Sequence, residues 1–197
     1  RFVSQSLADL QKKIPNSAFL IMQESALACF KQLNSIFSIN EIWSYEETGI
    51  AKTFNRDKQI KVWCHTAQIK WSEYATGAVK RGLNNRSSWD KHWHNTMRQP
   101  VKDIDIDSIN WLQLPEKSTL SLPLFEIPEH WLTNHPNFQK GGPEAALAEL
   151  ESFFVLRGKN YASALSSPSA SRDGCSRLSA YLAWGNISLR EAYQTLI

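Results

Sequence analysis

The sequence predicts an α/β fold, in which the later part of a doubly wound parallel sheet is followed by a group of helices. Three short strand-like segments, residues 18–22, 41–45 and 70–74, alternate with longer segments whose apolar residues recur at helical spacing. This alternation is typical of parallel sheets whose strands are joined by helices. Since sheets commonly have about five or six strands, three strands indicate part of a sheet. Both chain ends are therefore interpreted as cuts through a longer protein.

The helices of the first half are predicted from apolar stripes. Residues 1–14 and residues 24–37 each place apolar side chains on one helical face. A third helix, capped by Thr53, is predicted to turn Ile60 and Cys64 inward. The stripe of the first helix consists of Val3, Leu7, Leu10 and Ile14.

The second half is less regular until residue 141. Trp89 and Trp93 follow Ser88, which predicts a short capped helix. Residues 101–136 contain four prolines and predict a long connector without extended regular elements. The Gly-Gly-Pro sequence at 141–143 then predicts the start of a helix, because proline is favoured in the first turn.

The composition is that of a folded, mildly basic protein. Hydrophobic residues make up 42% of the chain, and the net charge of +3 is by itself poor support for a nucleic-acid partner. The three cysteines form no Cys-x-x-Cys pair, which favours reduced thiols in the cytoplasm. No apolar run is long enough to span a membrane. We therefore expect a cytoplasmic protein without membrane contact, and a monomer.

The turn at residues 174–179, Gly-Cys-Ser-Arg-Leu-Ser, carries the clearest chemistry. It offers backbone N–H groups, serine hydroxyls and a guanidinium at the start of a predicted helix, and such groups suit a phosphate or pyrophosphate. The alternative is an ordinary polar N-cap, which serine-rich segments often form. A further helix is predicted after Ser188, because Ser188 and Glu191 fit the capping-box pattern.

This stretch resembles the flavin-binding segment of the DNA photolyase/cryptochrome family. There, a tyrosine is followed by a polar loop, Thr-Ser-x-Leu-Ser, an apolar helix, a glycine and Ser-x-Arg. The counterparts here are Tyr161, residues 175–179, Gly185 and residues 188–190. Cys175 stands where threonine is usual, and a thiol is a weaker hydrogen-bond partner than a hydroxyl. Three more elements resemble the family in matching order: residues 46–57, 81–93 and 141–154.

The resemblance implies three regions with distinct roles. Residues 1–75 would belong to an incomplete α/β antenna-binding domain, residues 76–140 to an interdomain linker, and residues 141–197 to the start of an all-helical FAD-binding domain. FAD would be the cofactor. The residues implied to contact its phosphate and ribose part are Tyr161, Cys175, Ser176, Arg177, Leu178 and Ser179.

Weaker expectations concern an antenna and DNA. Glu46 or Glu47 would hydrogen-bond a second, light-harvesting chromophore of unspecified identity, the alternative being a solvated acidic loop. Arg172 is the nearest candidate for a DNA contact. No catalytic residue is assigned. His92 and His94 suggest no metal site, because no third ligand is apparent nearby.

The implied function is that of a DNA photolyase, a carbon–carbon lyase that uses blue light. Such enzymes repair pyrimidine dimers in damaged DNA by electron transfer from reduced FAD. The alternative within the family is a cryptochrome, a flavin photoreceptor without repair activity, which shares every motif present here. The residues that grip the flavin ring would lie beyond residue 197, so we expect this chain alone to be inactive. A third possibility is a small α/β nucleotide-binding module, which predicts a sheet of about five strands.

Overall fold

Helices and a parallel sheet make up the computed structural model, which describes residues 1–15, 18–116 and 120–196. The strands are β1 (Glu41–Tyr45) and β2 (Lys70–Tyr74). The helices are α1 (Phe2–Lys13), α2 (Ala26–Phe37), α3 (Ala51–Thr66), α4 (Trp89–Met97), α5 (Pro143–Val155), α6 (Tyr161–Ala164), α7 (Ser171–Gly174), α8 (Ser179–Ala183) and α9 (Leu189–Gln194). Short 3-10 turns lie at Ile106–Ser108, Glu129–Trp131 and Arg157–Asn160. The predicted α/β class is confirmed.

The chain divides into two units. The sheet unit consists of Leu20–Thr96 and Gln113–Glu126, and the helical unit consists of Arg1–Phe19, Met97–Leu112 and Ile127–Ile197. No helix among the described residues combines the length and the apolar character that crossing a membrane requires.

The sheet unit contains a β-α-β motif. β1 and β2 pair in parallel, with Glu41 opposite Lys70 and Tyr45 opposite Tyr74, so both predicted strands are confirmed. α3 joins them and buries Ile60 and Cys64, with 4% and 2% of their surfaces exposed. The helix begins two residues before Thr53, whose hydroxyl donates to the Ile50 carbonyl within the first turn. Thr53 is therefore not the cap that the sequence predicted.

The prediction of a third strand at residues 18–22 is wrong. In this segment only Met22 forms a bridge, an antiparallel one with Leu124. The Phe125 N–H donates to the Ile21 carbonyl at 2.8 Å, so the connector takes up the backbone groups that a neighbouring strand would have paired. The sheet of the described residues has two strands, which contradicts the nucleotide-binding module with about five.

One face of this small sheet is open to solvent. Trp43 and Tyr45 are each 71% exposed, and Tyr74 is 55% exposed. The opposite face is covered, because Ile42 lies in a core cluster to which Trp71 and the α2 residue Phe30 also contribute. Parallel sheets are usually covered on both faces, so the open aromatic face is unusual.

The helix at residues 2–13 is confirmed, and of its apolar stripe Val3, Leu7 and Ile14 are half-buried. Leu10 is 43% exposed, whereas Gln5 is buried. The Gln5 amide accepts from the Gly141 N–H at 2.9 Å and donates to the Leu132 carbonyl at 3.0 Å, so a polar side chain occupies the inner face. Hydrogen bonding of Gln5 to loop backbone therefore adds to the apolar contact of Phe2 with Tyr181 on the inner side of α1.

The core of the helical unit lies between α5, α8 and α9. Its buried members are Ala146, Leu150, Leu178, Tyr181, Ile187 and Ala192. The predicted helix start at Pro143 is confirmed, and Gly141 before it is required, because a Cβ there would overlap the Phe2 carbonyl. The predicted cap of α9 is also confirmed, since the Ser188 hydroxyl accepts from the Glu191 N–H at 3.0 Å.

Candidate phosphate-binding site

The predicted phosphate turn connects α7 to α8. Cys175 is extended, and Arg177 adopts a left-handed conformation with φ of 57°. Non-glycine residues rarely take this conformation, and it is often found at functional sites. Leu178 is anchored in the core with 8% of its surface exposed. The turn is thus a tight bend held from inside by one apolar side chain.

Several hydrogen-bond donors of this turn have no protein acceptor. Among the described residues, no hydrogen bond is donated by the backbone N–H groups of Ser176, Arg177, Leu178 and Ser179, or by the two serine hydroxyls. Ser176 and Arg177 are half-buried and Ser179 is exposed. Successive unpaired N–H groups in a bend form an anion-binding concavity in many proteins.

α8 contributes less to such a site than the sequence suggested. The predicted apolar helix ends at Ala183 after five residues. A helix this short has a small dipole, because the dipole sums over aligned peptide units. An anion here would be held by the N–H groups of the turn and by nearby cations.

A cleft of about 410 Å³ lies beside the turn and is rich in basic side chains. Its charged lining residues are Lys140, Glu149, Arg157, Arg172, Asp173 and Arg177. Arg157 is neutralised by Glu149, at 2.7 Å between Nη2 and Oε2. The Arg177 guanidinium, in contrast, makes no hydrogen bond or ion pair with any described residue. The cleft therefore presents a surplus of positive charge next to the free N–H groups.

Tyr181 closes the inner side of the cleft. It is 1% exposed, and its hydroxyl donates to the Lys140 carbonyl at 2.8 Å. Burial raises the pKa of this phenol, and the nearby Glu149 carboxylate raises it further. The ring therefore stays neutral and adds no negative charge to a site that would hold an anion.

Of the other predicted contact residues, Arg172 lies at this cleft and Tyr161 does not. Arg172 lines the cleft, and its Nη2 donates to the Asn137 carbonyl. Tyr161 is 41% exposed and packs edge-on against Phe153, with ring centroids 5.7 Å apart, but it does not line the cleft. The structure thus brings Arg172 and Arg177 together at the cleft, with the two serines on the adjoining turn and Tyr161 outside it.

The acidic pair proposed for an antenna chromophore lies after β1, and both carboxylates have protein partners. Glu47 accepts from the Gly49 N–H at 2.5 Å, which is the main reason that its pKa is lowered, and it pairs with Arg56 at 3.3 Å. Glu46 pairs with Arg81 at 3.1 Å. A chromophore bound here would have to compete with these contacts or add to them.

The two indoles of α4 lie near each other and near an arginine. Trp89 and Trp93 have ring centroids 6.5 Å apart, and the Arg86 guanidinium lies 5.7 Å from the Trp89 ring. Within residues 1–15, 18–116 and 120–196, no three or more His, Cys, Asp or Glu side chains come together as metal ligands.

Sequence reasoning missed Arg157 and Gln139. Arg157 Nη1 donates to the Cys175 carbonyl at 2.6 Å, and Gln139 Nε2 donates to the Arg177 carbonyl at 3.0 Å. These partners are 18 and 38 residues apart, and no local pattern marks them.

Neither the models of known protein families nor the curated proteins give a match to this chain.

Proposed function

We propose that residues 141–197 bind the phosphate and ribose part of FAD, and that the protein is a light-driven DNA photolyase. The observation that carries this proposal is the turn at 176–179, where consecutive N–H groups and two serine hydroxyls have no acceptor among the described residues and lie beside a basic cleft. A pyrophosphate supplies the acceptor oxygens and the negative charge that such a site lacks. These residues also resemble the flavin-binding segment of the DNA photolyase/cryptochrome family, and FAD is therefore the ligand that we propose.

The residues would divide the work of binding. The N–H groups of Ser176 and Arg177 and the hydroxyls of Ser176 and Ser179 would donate to phosphate oxygens, and the Arg177 guanidinium would neutralise charge. The Cys175 N–H donates to the Ser171 carbonyl at 3.1 Å and is not available to the ligand, so Cys175 would contribute only through its thiol, a weak donor. Tyr161 would contact the nucleotide from outside the cleft. Its edge-on packing against Phe153 leaves the ring partly exposed for this.

When bound and reduced, FAD would supply an electron that splits the pyrimidine dimer and is then returned to the flavin, and the protein would bind and orient the cofactor. The damaged base must leave the DNA stack to reach the flavin. Arg172 is the proposed DNA contact of this chain, and Glu46 or Glu47 the proposed contact of an antenna chromophore. We place the protein in the cytoplasm, a proposal supported by the three free cysteines.

The test of the binding site is a titration of the chain with FAD, followed by flavin fluorescence. The double variant Ser176→Ala/Ser179→Ala should weaken binding by about 2 kcal/mol, or roughly thirtyfold, at about one kcal/mol per lost hydrogen bond. Ser35→Ala is the matched control, because the exposed Ser35 hydroxyl donates to the Gln32 carbonyl within α2 and lies in the other unit. Equal FAD affinities for the double variant and the wild type would refute the assignment.

The test of the reaction uses the full-length protein loaded with reduced FAD. Under blue light, a photolyase should restore normal pyrimidines in an ultraviolet-damaged oligonucleotide, measured by chromatography of the product. FAD binding without repair would favour the cryptochrome alternative. Absence of FAD from the full-length protein would argue against the whole family.

A further inference from the structure

Arg157 lies in the 3-10 turn that follows α5, and 18% of its side chain is exposed. A guanidinium has five N–H donors, and here each has an acceptor. Nε donates to the Ser152 hydroxyl at 2.8 Å, and Nη2 donates to the Glu149 carbonyl and carboxylate at 3.1 and 2.7 Å. Nη1 donates to the carbonyls of Asp173 and Cys175 at 3.3 and 2.6 Å. One side chain therefore ties the end of α5 to the start of the phosphate turn.

We propose that Arg157 is a positioning residue, which fixes the direction of the turn's N–H groups without touching the ligand. The peptide unit is planar and trans, so the N–H of one residue points opposite to the preceding carbonyl. By holding the Cys175 carbonyl, Arg157 fixes the direction of the Ser176 N–H. Gln139 acts in the same way on the peptide between Arg177 and Leu178. It donates to the Arg177 carbonyl and so fixes the direction of the Leu178 N–H.

The hydrogen bonds of Arg157 exclude it from contacting an anion directly, although it lines the cleft. All five donors are occupied, and the ion pair with Glu149 offsets its charge. Arg177 is the opposite case, because its guanidinium has no hydrogen bond to any described residue. The two arginines therefore have separate roles, geometry for Arg157 and charge for Arg177.

The anchor of this arrangement is rigid. Glu149 and Ser152 are on α5, next to Leu150, which is 1% exposed in the core. Held from this helix, the turn has its direction fixed by protein hydrogen bonds to the Cys175 and Arg177 carbonyls. Such bonds lower the entropy that the turn would lose on binding an anion.

The first experiment measures the turn itself and needs no flavin. The three free thiols are alkylated with iodoacetamide, and the rate at each is read by peptide mass spectrometry. Arg157→Lys keeps the charge but loses the planar guanidinium with its five donors. The variant should raise the alkylation rate of Cys175 by about tenfold. The rates at Cys29 and at the buried Cys64 report on the sheet unit, so the integrity of the helical unit is read from hydrogen exchange at its core residues Leu150 and Tyr181, which should not change. Arg98→Lys, an exposed arginine of the same unit, is the matched control and should leave all three rates unchanged.

Unchanged alkylation at Cys175 in Arg157→Lys would overturn the proposal. If that variant loses hydrogen-exchange protection at Leu150 and Tyr181, the helical unit has unfolded and Glu149→Gln replaces it. This variant removes the ion pair but retains an amide acceptor, and it should raise the Cys175 rate by a smaller factor. No change in Glu149→Gln would then overturn the proposal as well.

The second experiment rests on the proposed FAD function and separates geometry from charge. At position 157, Lys and Gln should each weaken FAD binding by about tenfold, because both variants lose the guanidinium group. At position 177, Lys should bind nearly as well as Arg, and Gln should bind about tenfold more weakly. Rescue by Lys at position 157 would overturn the positioning role. If wild-type protein does not bind FAD although Arg157→Lys frees Cys175, the positioning role stands and the flavin proposal fails.

Discussion

Gly174 is buried at the contact between α7 and α6, immediately before the phosphate turn. A Cβ on this residue would overlap the Cβ of Ala164. Gly174→Ala should therefore destabilise the protein by about 1–3 kcal/mol, the usual cost of overpacking a core. Thermal unfolding by circular dichroism would measure the loss.

The matched experiment for this contact adds Ala164→Gly to Gly174→Ala. The double variant removes the methyl group from the opposite side, so it should recover much of the lost stability, less the cost of a glycine in a helix, about 1 kcal/mol. If the double variant is as unstable as the sum of both single variants, steric overlap is not the cause.

Residues that act through their neighbours in sequence could be predicted, and residues that act across the fold could not. The donors of Ser176 and Ser179 follow from a local turn, and the left-handed Arg177 lies within it. Arg157 reaches the phosphate turn only because the 3-10 turn after α5 meets α7 in space. Its role depends on tertiary distance, for which one sequence contains no signal.

At the scale of secondary-structure elements, the pairing of β1 with β2 brings together an ion pair that shifts the pKa of one of its members. Glu41 and Lys70 lie opposite each other, with 2.7 Å between Oε1 and Nζ. The Lys70 hydrogen bond, followed by those of Ser72 and Trp43, lowers the pKa of Glu41 from 4.5 to about 2. A lowered pKa means that folding favours the carboxylate. The stabilisation is present above pH 4.5 and is lost as the pH falls towards 2.

Carbon-detected NMR titration of the Glu41 carboxyl group would check this. In Lys70→Met the pKa should rise towards its ordinary value, and in Ser72→Ala it should rise by less, following the order of the two hydrogen bonds. High salt should reduce the contribution of Lys70, since its side chain is exposed. An unshifted Glu41 in the wild type would contradict the strand register at this pair.

At the level of elements, prediction succeeded where local signals sufficed. The strands at 41–45 and 70–74 and the start of α5 at Pro143 are confirmed because their residue types and flanking breakers agree. The segment at 18–22 is apolar but has no neighbouring strand of the sheet, and apolar character alone does not specify a partner. The burial of Gln5 in α1 could not be predicted, because it depends on loop backbone groups that the sequence does not connect to it.

On the scale of the whole molecule, each unit has its own cluster of buried side chains. Leu150 belongs to the cluster of the helical unit and Ile60 to that of the sheet unit. Leu150→Ala and Ile60→Ala should each cost about 2–5 kcal/mol. Hydrogen exchange should reveal the larger loss of protection in the unit that carries the substitution. Equal losses in both units for each variant would show that the two clusters unfold together.

The open face of the two-stranded sheet has a practical consequence for work with the purified chain. Each strand has one edge without a partner among the described residues. On the open face, Trp43 and Tyr45 of β1 each have 71% of their surfaces exposed. Unpaired strand edges recruit further strands from other molecules, and apolar side chains strengthen such contacts. Concentrated samples should therefore become turbid on storage, and dilute, freshly purified protein is the right material for the titrations.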